Sequence, residues 1–261
     1  MGTWCLGDDP AARAEEIATL RLGLDLGARL IDTAEMYGSG RAEELVGEAL
    51  QGRREEAFLV SKVLPRNATR AGTKAACERS LRRLGTDRID LYLLHWRGAV
   101  PLAETLVAFG ELQQQGKIRH YGVSNLDLSD MQELWSLPGG TQVATNQLLY
   151  NLRRRGIEFD LLPWLRHRHV SVMAYSPIEQ GRLLKAAELM GFARRHGITA
   201  AQAALAWLLH HDDVIVIPKT SNRERLRENF AAVDVQFRAA QLAELDELFP
   251  APTGPEPLEM L

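Results

Sequence analysis

Cysteine is scarce in this chain of 261 residues, with only Cys5 and Cys77 present. Two thiols cannot form the disulfide framework of a small secreted domain, nor the cysteine-rich shell of a structural zinc site. The histidines at His167, His169, His210 and His211 fall at no metal-ligand spacing with cysteines or carboxylates, so no metal is expected. Long apolar runs are also missing: nothing approaches the roughly 18 consecutive residues of a membrane span, and Met1 opens directly into Gly-Thr-Trp without a basic stretch and apolar leader core. A soluble, cytoplasmic protein with no membrane partner is expected. The net charge of −3 supplies no general attraction to nucleic acid, and Arg153 to Arg155, a short isolated basic cluster, is expected to be a solvated loop. Small-molecule chemistry is the class that remains.

What is present is an alternation. Apolar or β-branched runs occur at Leu30-Ile31, Phe58-Leu59-Val60, Ile89 to Leu94, Tyr121-Gly122-Val123, Val143-Ala144, Val170 to Ala174 and Val214 to Pro218. With their flanks these have the length of strands. Between them the positions Leu45, Val46, Ala49 and Leu50, then Ala76, Leu81 and Leu84, then Leu102, Leu106, Phe109 and Leu112, and later Ala201, Ala204, Leu205 and Leu208 recur at helical spacing, each set predicting one buried face. Seven strand-helix units, with a clipped strand around Gly2 to Cys5 leading into a helix from Ala11, make eight. Eight alternating units in a chain of this length predict an α/β fold, a (β/α)8 TIM barrel, as a single domain over 1–261. The composition, 46% hydrophobic, is enough for one large core or two small ones, and no linker or domain boundary is visible.

The residues that end the runs are polar or reactive: Asp32, Lys62, His95, Ser124-Asn125, Asn146-Gln147, Tyr175-Ser176 and Lys219. In a barrel of this kind all these ends share the face where a site forms. Each has a bland alternative, a cap for Asp32 or Ser124 and a surface position for Lys62, but their recurrence after seven strands favours a site. Five residues beyond Asp32, Tyr37 stands in a turn-like loop at the same mouth. The following Gly38-Ser39-Gly40 begins like a dinucleotide fingerprint, yet Glu43 replaces the third glycine, so it is read as a turn and the start of a barrel helix.

The segments D-T-A-E-M-Y-G from Asp32, F-L-V-S-K from Phe58, D-L-Y-L-L-H-W from Asp90, G-V-S-N from Gly122, T-N-Q from Thr145, A-Y-S-P from Ala174 and I-P-K-T-S-N from Ile217 resemble, in order, the aldo-keto reductases. D-M-Q-E-L-W-S-L-P-G-G from Asp130 and D-L-L-P-W from Asp160 resemble the bacterial branch of methylglyoxal and general aldehyde reductases. The resemblance implies a barrel, a bound NADPH and reduction of a carbonyl to an alcohol. It places Tyr37 as proton donor, Lys62 as the cation that stabilises its phenolate, Asp32 as the partner that compensates the buried lysine, and His95 as a ring N–H donor to the substrate oxygen.

By the same matching Ser124, Asn125 and Gln147 hold the nicotinamide carboxamide, Tyr175 stacks on the ring, and Ser176 and Ile178 follow along the cofactor. Gly2, Thr3 and Trp4 form the loop beneath it, and Trp4 and Trp96 line the substrate pocket, whereas Trp135, Trp164 and Trp207 sit in helical patterns as packing. Lys219, Thr220 and Arg225 are implied at the 2′-phosphate, with Glu228 and Asn229 at the adenine and Ser221 also on the cofactor; Ser221-x-x-Glu224 also reads as a capping box opening a helix. The alternative to turnover is a cofactor-binding regulatory or redox-sensing subunit, which a degenerate tetrad would favour; this chain retains all four residues.

Two expectations concern the ends. After Pro250 only a short Pro-rich tail remains, so an open pocket taking small, electron-poor carbonyls is expected, in a monomer or a dimer. At the start, Gly-Thr follows Met1 without the upstream hairpin that plugs the barrel floor in relatives, which predicts a short first strand, a frayed amino terminus, and a misassigned start or a dimer contact covering the floor.

Overall fold

The computed structural model describes residues 1–261, which divide into two compact units, Met1–Asn146 with Lys219–Arg223 and Gln147–Pro218 with Glu224–Leu261. In the first, α1 (Arg13–Leu26), β1 (Leu30–Asp32), α2 (Arg41–Ala49), β2 (Phe58–Val63), α3 (Arg70–Leu84), β3 (Ile89–Leu94), α4 (Leu102–Gln114), β4 (Ile118–Ser124) and α5 (Leu128–Ser136) alternate, and β5 (Thr145–Leu149) begins. β1 to β4 pair in parallel, each with its chain neighbour: Ile31 lies opposite Leu59, Val60 opposite Leu91, and Leu93 opposite Gly122. Parallel strands are covered on both faces, and accordingly Leu59, Val60, Ile89, Leu91, Leu93 and Leu94 are all buried. Every apolar helix position expected from the spacing in α2, α3 and α4 is buried as well.

Helices and strands are also tied by buried carboxylates. Glu43 on α2 accepts from Ser61 Oγ of β2 at 2.6 Å and from Arg83 Nε of α3 at 2.6 Å. Asp90 on β3 accepts the backbone N–H of Leu59 at 2.9 Å and a guanidinium N–H of Arg54 at 2.7 Å, with Arg119 at 3.3 Å. α3 opens on Thr69, whose hydroxyl accepts the Gly72 N–H, and α5 opens on Asp127, whose carboxylate accepts that of Asp130, each satisfying an otherwise orphaned donor.

The expected clipped strand is smaller than predicted. Only Gly2 bridges to Asp32, after which 4–8 turn away. The amino terminus is nevertheless not frayed: Met1 is buried, its amine donates to the Leu30 carbonyl at 2.5 Å, and its carbonyl accepts the Asp32 N–H at 2.8 Å. Its side chain lies where α1 has Gly23, at which an added Cβ would stand 2.0 Å from Met1 Sδ. A residue costly to helix propensity is present because the thioether occupies the space a side chain would need.

In the second unit β5 continues to Leu149, followed by α6 (Leu161–His167), β6 (Ser171–Tyr175), α7 (Ala187–Arg195), α8 (Ala200–Leu209) and β7 (Val214–Val216), then α9 (Arg223–Phe230), whose first residue belongs to the first unit, and α10 (Ala239–Leu248). β6 and β7 pair in parallel with Val172 opposite Val214, and α8 opens on a capping box between Thr199 and Gln202. Trp135, Trp164 and Trp207 fall on α5, α6 and α8 as expected. No helix is long and apolar enough to cross a membrane.

Arg153 to Arg155 are not a merely solvated cluster. Arg154 grips the buried carboxylate of Glu179 through Nε at 3.1 Å and a terminal nitrogen at 3.0 Å, Arg153 pairs with Glu188, and Arg155 pairs with Glu158 and Asp246 while lying 5.0 Å from the Trp207 ring centroid. The three side chains clamp the 151–158 loop to segments distant in sequence. The tail after Pro250 also has partners, since Glu259 pairs with Arg154 and the Leu261 N–H donates to the Tyr175 hydroxyl at 3.4 Å.

Candidate active site

Parallel pairing sends the carboxyl ends of β1, β2 and β3 to one edge, and with them Asp32, Lys62 and His95. Tyr37 is returned to that edge by a tight turn. The Thr33 N–H donates to the Val60 carbonyl and the Glu35 N–H to the Lys62 carbonyl, so the chain runs on beside β2 before the Tyr37 N–H closes onto Ala34. Gly38, Ser39 and Gly40, at φ of 55°, 56° and 100°, then reverse into α2, the left-handed run that the glycines permit.

Lys62 is the centre of the cluster. Its side chain is fully buried, and its ammonium donates to Asp32 Oδ2 at 2.8 Å, to the Thr33 carbonyl at 2.8 Å and to the Tyr37 hydroxyl oxygen at 3.2 Å. Three N–H groups meet three acceptors, so a buried cation that would otherwise be prohibitive is fully compensated. Because the Tyr37 oxygen accepts from Lys62, its own proton is directed elsewhere. The Tyr37 and His95 rings meet edge to face with centroids 5.8 Å apart, and the Trp96 ring lies 4.9 Å from that of His95.

The electrostatics follow from burial. Desolvation works against the Lys62 charge, but Asp32 and the Tyr37 oxygen outweigh it and hold the ammonium above its usual range. Burial pushes the Tyr37 phenol above its ordinary value, and Lys62 offsets only part of this, so the expected stabilisation of phenolate is present without a net fall. Burial, helped by Lys62, drives His95 down to about 2, which leaves a neutral imidazole. Its Nδ1 is buried without a hydrogen-bond partner. A proton there would be an orphaned donor, so the neutral ring carries it on Nε2, the nitrogen left to meet a substrate oxygen.

Other expected site residues divide between the units. In the first, Thr3 donates through N and Oγ1 to the Asp32 carbonyl at 3.0 and 2.9 Å, fixing Gly2 and Thr3 against β1, while Trp4 is exposed. Ser124 ends β4, and Asn125 donates from Nδ2 to Ser124 Oγ at 3.0 Å and to the His95 carbonyl at 3.1 Å. Lys219, Thr220 and Ser221 are held to α1: the Thr19 hydroxyl reaches the Ser221 carbonyl at 3.3 Å, and Arg223 pairs with Glu15 through two N–H groups at 2.7 and 3.0 Å. α9 opens at Arg223, one residue later than a capping box on Ser221 requires, and just ahead of it the Thr220 hydroxyl accepts the Asn222 N–H at 3.1 Å. In the second unit Arg225, Glu228 and Asn229 share one face of α9 by their spacing of three and four. Tyr175 ends β6 half-buried, followed by Ser176, whose carbonyl accepts from Asn151 at 3.0 Å, and by Ile178. Asn146 and Gln147 correct a boundary: they lie inside β5, not at its end, and Gln147 donates to Met173 Sδ.

Sequence reasoning missed two contributors: the Thr33 carbonyl that completes the Lys62 shell, and the carboxylate of Glu35. The first is a backbone atom with no sequence signal, and the second stood inside the motif segment between Asp32 and Tyr37 with nothing to single it out.

Residues 1–249 match the model of the aldo/keto reductase family. The chain belongs to that family. It is 54% identical over its full length to methylglyoxal reductase YeaE of Escherichia coli, covering 94% of that protein, and 33% identical to a glyoxal reductase of Bacillus subtilis, with 95% of this chain and 88% of that protein aligned. A crystal structure of an aldo/keto reductase from Klebsiella pneumoniae in complex with NADP and acetate superposes with a TM-score of 0.98 at 49% identity, over 100% of this chain and 94% of that one. The fold class is therefore the (β/α)8 barrel of the aldo/keto reductases, and the chain is an oxidoreductase of that family.

Proposed function

We propose that this aldo/keto reductase reduces small aldehydes and ketones, methylglyoxal-like compounds and aromatic aldehydes, to alcohols at the expense of NADPH, with Tyr37 as general acid. The observation that carries the assignment is the Lys62 ammonium, with its three N–H groups directed at Asp32, Thr33 and the Tyr37 oxygen. Relatives named as methylglyoxal and glyoxal reductases, and a structural neighbour holding NADP, support the substrate and cofactor classes. Both expected aromatic pocket residues, Trp4 and Trp96, fit an apolar carbonyl compound. We read residues 1–261 as one reductase domain acting as a cytoplasmic monomer, without nucleic-acid or membrane partners.

The residues present fit the cofactor. Asn125, part-exposed at the end of β4, donates from Nδ2 to the His95 carbonyl at 3.1 Å, which fixes the polar end of that strand beside the histidine, where it suits a carboxamide. Lys219 and Thr220 supply a cation and a hydroxyl for a phosphate, as Arg225 does from α9. Bound NADPH supplies the hydride. The chain itself does three things. The Nε2–H of neutral His95 donates to the carbonyl oxygen and polarises it. The Tyr37 hydroxyl gives its proton to that oxygen as negative charge develops. The Lys62 ammonium, held by Asp32 and Thr33, stabilises the phenolate left behind.

Oxidation of NADPH with methylglyoxal, an aromatic aldehyde and a bulky steroid ketone tests the reading. Turnover on the first two and little on the third is expected. Efficient steroid reduction with none on methylglyoxal would overturn it.

A further inference from the structure

Between Asp32 and Tyr37 lies a carboxylate that the tetrad does not use. Glu35 is buried, and one of its oxygens, Oε1, accepts two hydrogen bonds, from the backbone N–H of Leu64 at 2.8 Å and from Asn67 Nδ2 at 2.8 Å. Its Oε2 faces the half-exposed Arg79 at 3.4 Å. The backbone N–H of the same residue donates to the Lys62 carbonyl at 3.3 Å. Glu35 therefore grips β2 and its continuation at residues 62 and 64, on either side of Val63, immediately beyond the residue that presents the ammonium. Two positions further along, the chain delivers the Tyr37 hydroxyl to that ammonium at 3.2 Å.

We propose that Glu35 is a positioning residue for proton transfer, setting the distance between the Tyr37 hydroxyl and Lys62 by pinning the 33–40 loop to the end of β2. The inference rests on Tyr37 as the proton donor. Without the Glu35 side chain the loop keeps its backbone bonds to β2 and the Lys62 contacts to the Thr33 carbonyl and the Tyr37 hydroxyl, but nothing holds it to the strand beyond Lys62, and the Leu64 N–H, in a buried segment, loses its acceptor. The geometry tolerates an amide at this position, because a glutamine carbonyl can accept from both Leu64 and Asn67, while half-exposed Arg79 can turn to solvent. Charge is not what the site requires of Glu35; reach is.

The test compares Glu35→Ala, Glu35→Asp and Glu35→Gln with the parent and with Tyr37→Phe. Thermal melting, NADPH affinity by fluorescence quenching, kcat for methylglyoxal, and the pH profile of aromatic alcohol oxidation, which needs phenolate, are recorded for each. Glu35→Ala is expected to lose about ten- to a hundredfold in kcat, as a displacement near 1 Å does, with NADPH affinity within about twofold. Its alcohol-oxidation profile should move to higher pH, because a phenol drawn away from the ammonium ionises later. Glu35→Asp, one methylene short, should move the profile the same way by less, and it carries the test if the alanine variant does not fold. Glu35→Gln should restore both kcat and profile. An unmoved profile in the alanine and aspartate variants, or a glutamine variant as impaired as alanine, would overturn the proposal. Near-normal turnover by Tyr37→Phe would remove the donor assignment beneath it, whereas an inactive Tyr37→Phe beside a fully active Glu35→Ala would remove only the role of Glu35.

Discussion

The Lys62 ammonium donates to the Tyr37 hydroxyl oxygen at 3.2 Å, and its nitrogen also stands 4.8 Å from the centroid of that ring. This contact favours the ionised phenol, and in the proposed mechanism the hydroxyl acts on the substrate oxygen, so Tyr37→Phe should separate chemistry from binding. Carbonyl reduction is expected to fall by about a hundred- to ten-thousandfold, the usual worth of a general acid, while NADPH affinity changes little. Stopped-flow turnover and a fluorescence titration of the same preparation decide it; near-normal turnover takes Tyr37 out of the role.

His95 links the site to stability. Its folded pKa of about 2 lies below the ordinary 6.5, so below pH 6.5 the unfolded chain binds a proton that the folded chain does not. The contribution of this group is complete above pH 6.5 and is lost as the pH falls from 6.5 toward 2. The loss by pH 5 is about 2 kcal/mol, an order-of-magnitude figure. Replacing His95 with glutamine removes that titration. Urea unfolding of both proteins at pH 8 and pH 5 should show a smaller acid loss in the variant, and equal losses would show that His95 is not held neutral.

In the proposed function, cofactor choice turns on Arg225 of α9. Arg225 is exposed, and a charge-assisted contact to a 2′-phosphate is worth about 1.5 to 3 kcal/mol, its lower end being appropriate at an exposed site. Arg225→Ala is therefore expected to raise the KM for NADPH roughly tenfold and to leave that for NADH in place. Equal Michaelis constants for the two cofactors in the parent, unchanged in the variant, would contradict the assignment.

Much of this was legible in residue order, for physical reasons. Parallel strands must be buried on both faces, so they appear as apolar runs, and their polar carboxyl ends, Asp32, Lys62, His95 and Ser124, mark one edge. β5 escaped that logic because Asn146 and Gln147 lie inside it, breaking the apolar run that would reveal its extent. Arg153 to Arg155 resembled a solvated cluster because, Glu158 apart, the acids they meet lie far along the chain, at Glu179, Glu188, Asp246 and Glu259. Met1 looked ready to fray because nothing in local sequence connects it to Gly23, although the absence of a side chain in mid-helix was the visible half of that contact. Glu35 was read only as one letter of a family motif, since its partners Leu64 and Asn67 become neighbours only through the β1–β2 pairing.

Asp90 separates stability from chemistry. It lies on β3 five residues before His95, is 2% exposed, and accepts the Leu59 N–H and an Arg54 N–H while Arg119 approaches at 3.3 Å. Asp90→Ala leaves the Leu59 N–H without its acceptor and takes the carboxylate from Arg54, whose guanidinium keeps the Thr86 hydroxyl and the Ala57 and Arg88 carbonyls; breaking a buried pair costs about 3 to 5 kcal/mol. For a domain of this size each kcal/mol lowers the melting temperature by about 2 to 4 °C, so a fall of roughly 6 to 20 °C is expected. Below the new melting temperature kcat should stay within about twofold of the parent, because none of the groups orphaned by the change touches Lys62, Tyr37 or His95. A differential scanning measurement with a parallel assay at 20 °C checks both halves. If kcat collapses in a variant that still melts cooperatively, Asp90 reaches the site through β3, and the separation of the strand's scaffold from its chemistry is wrong.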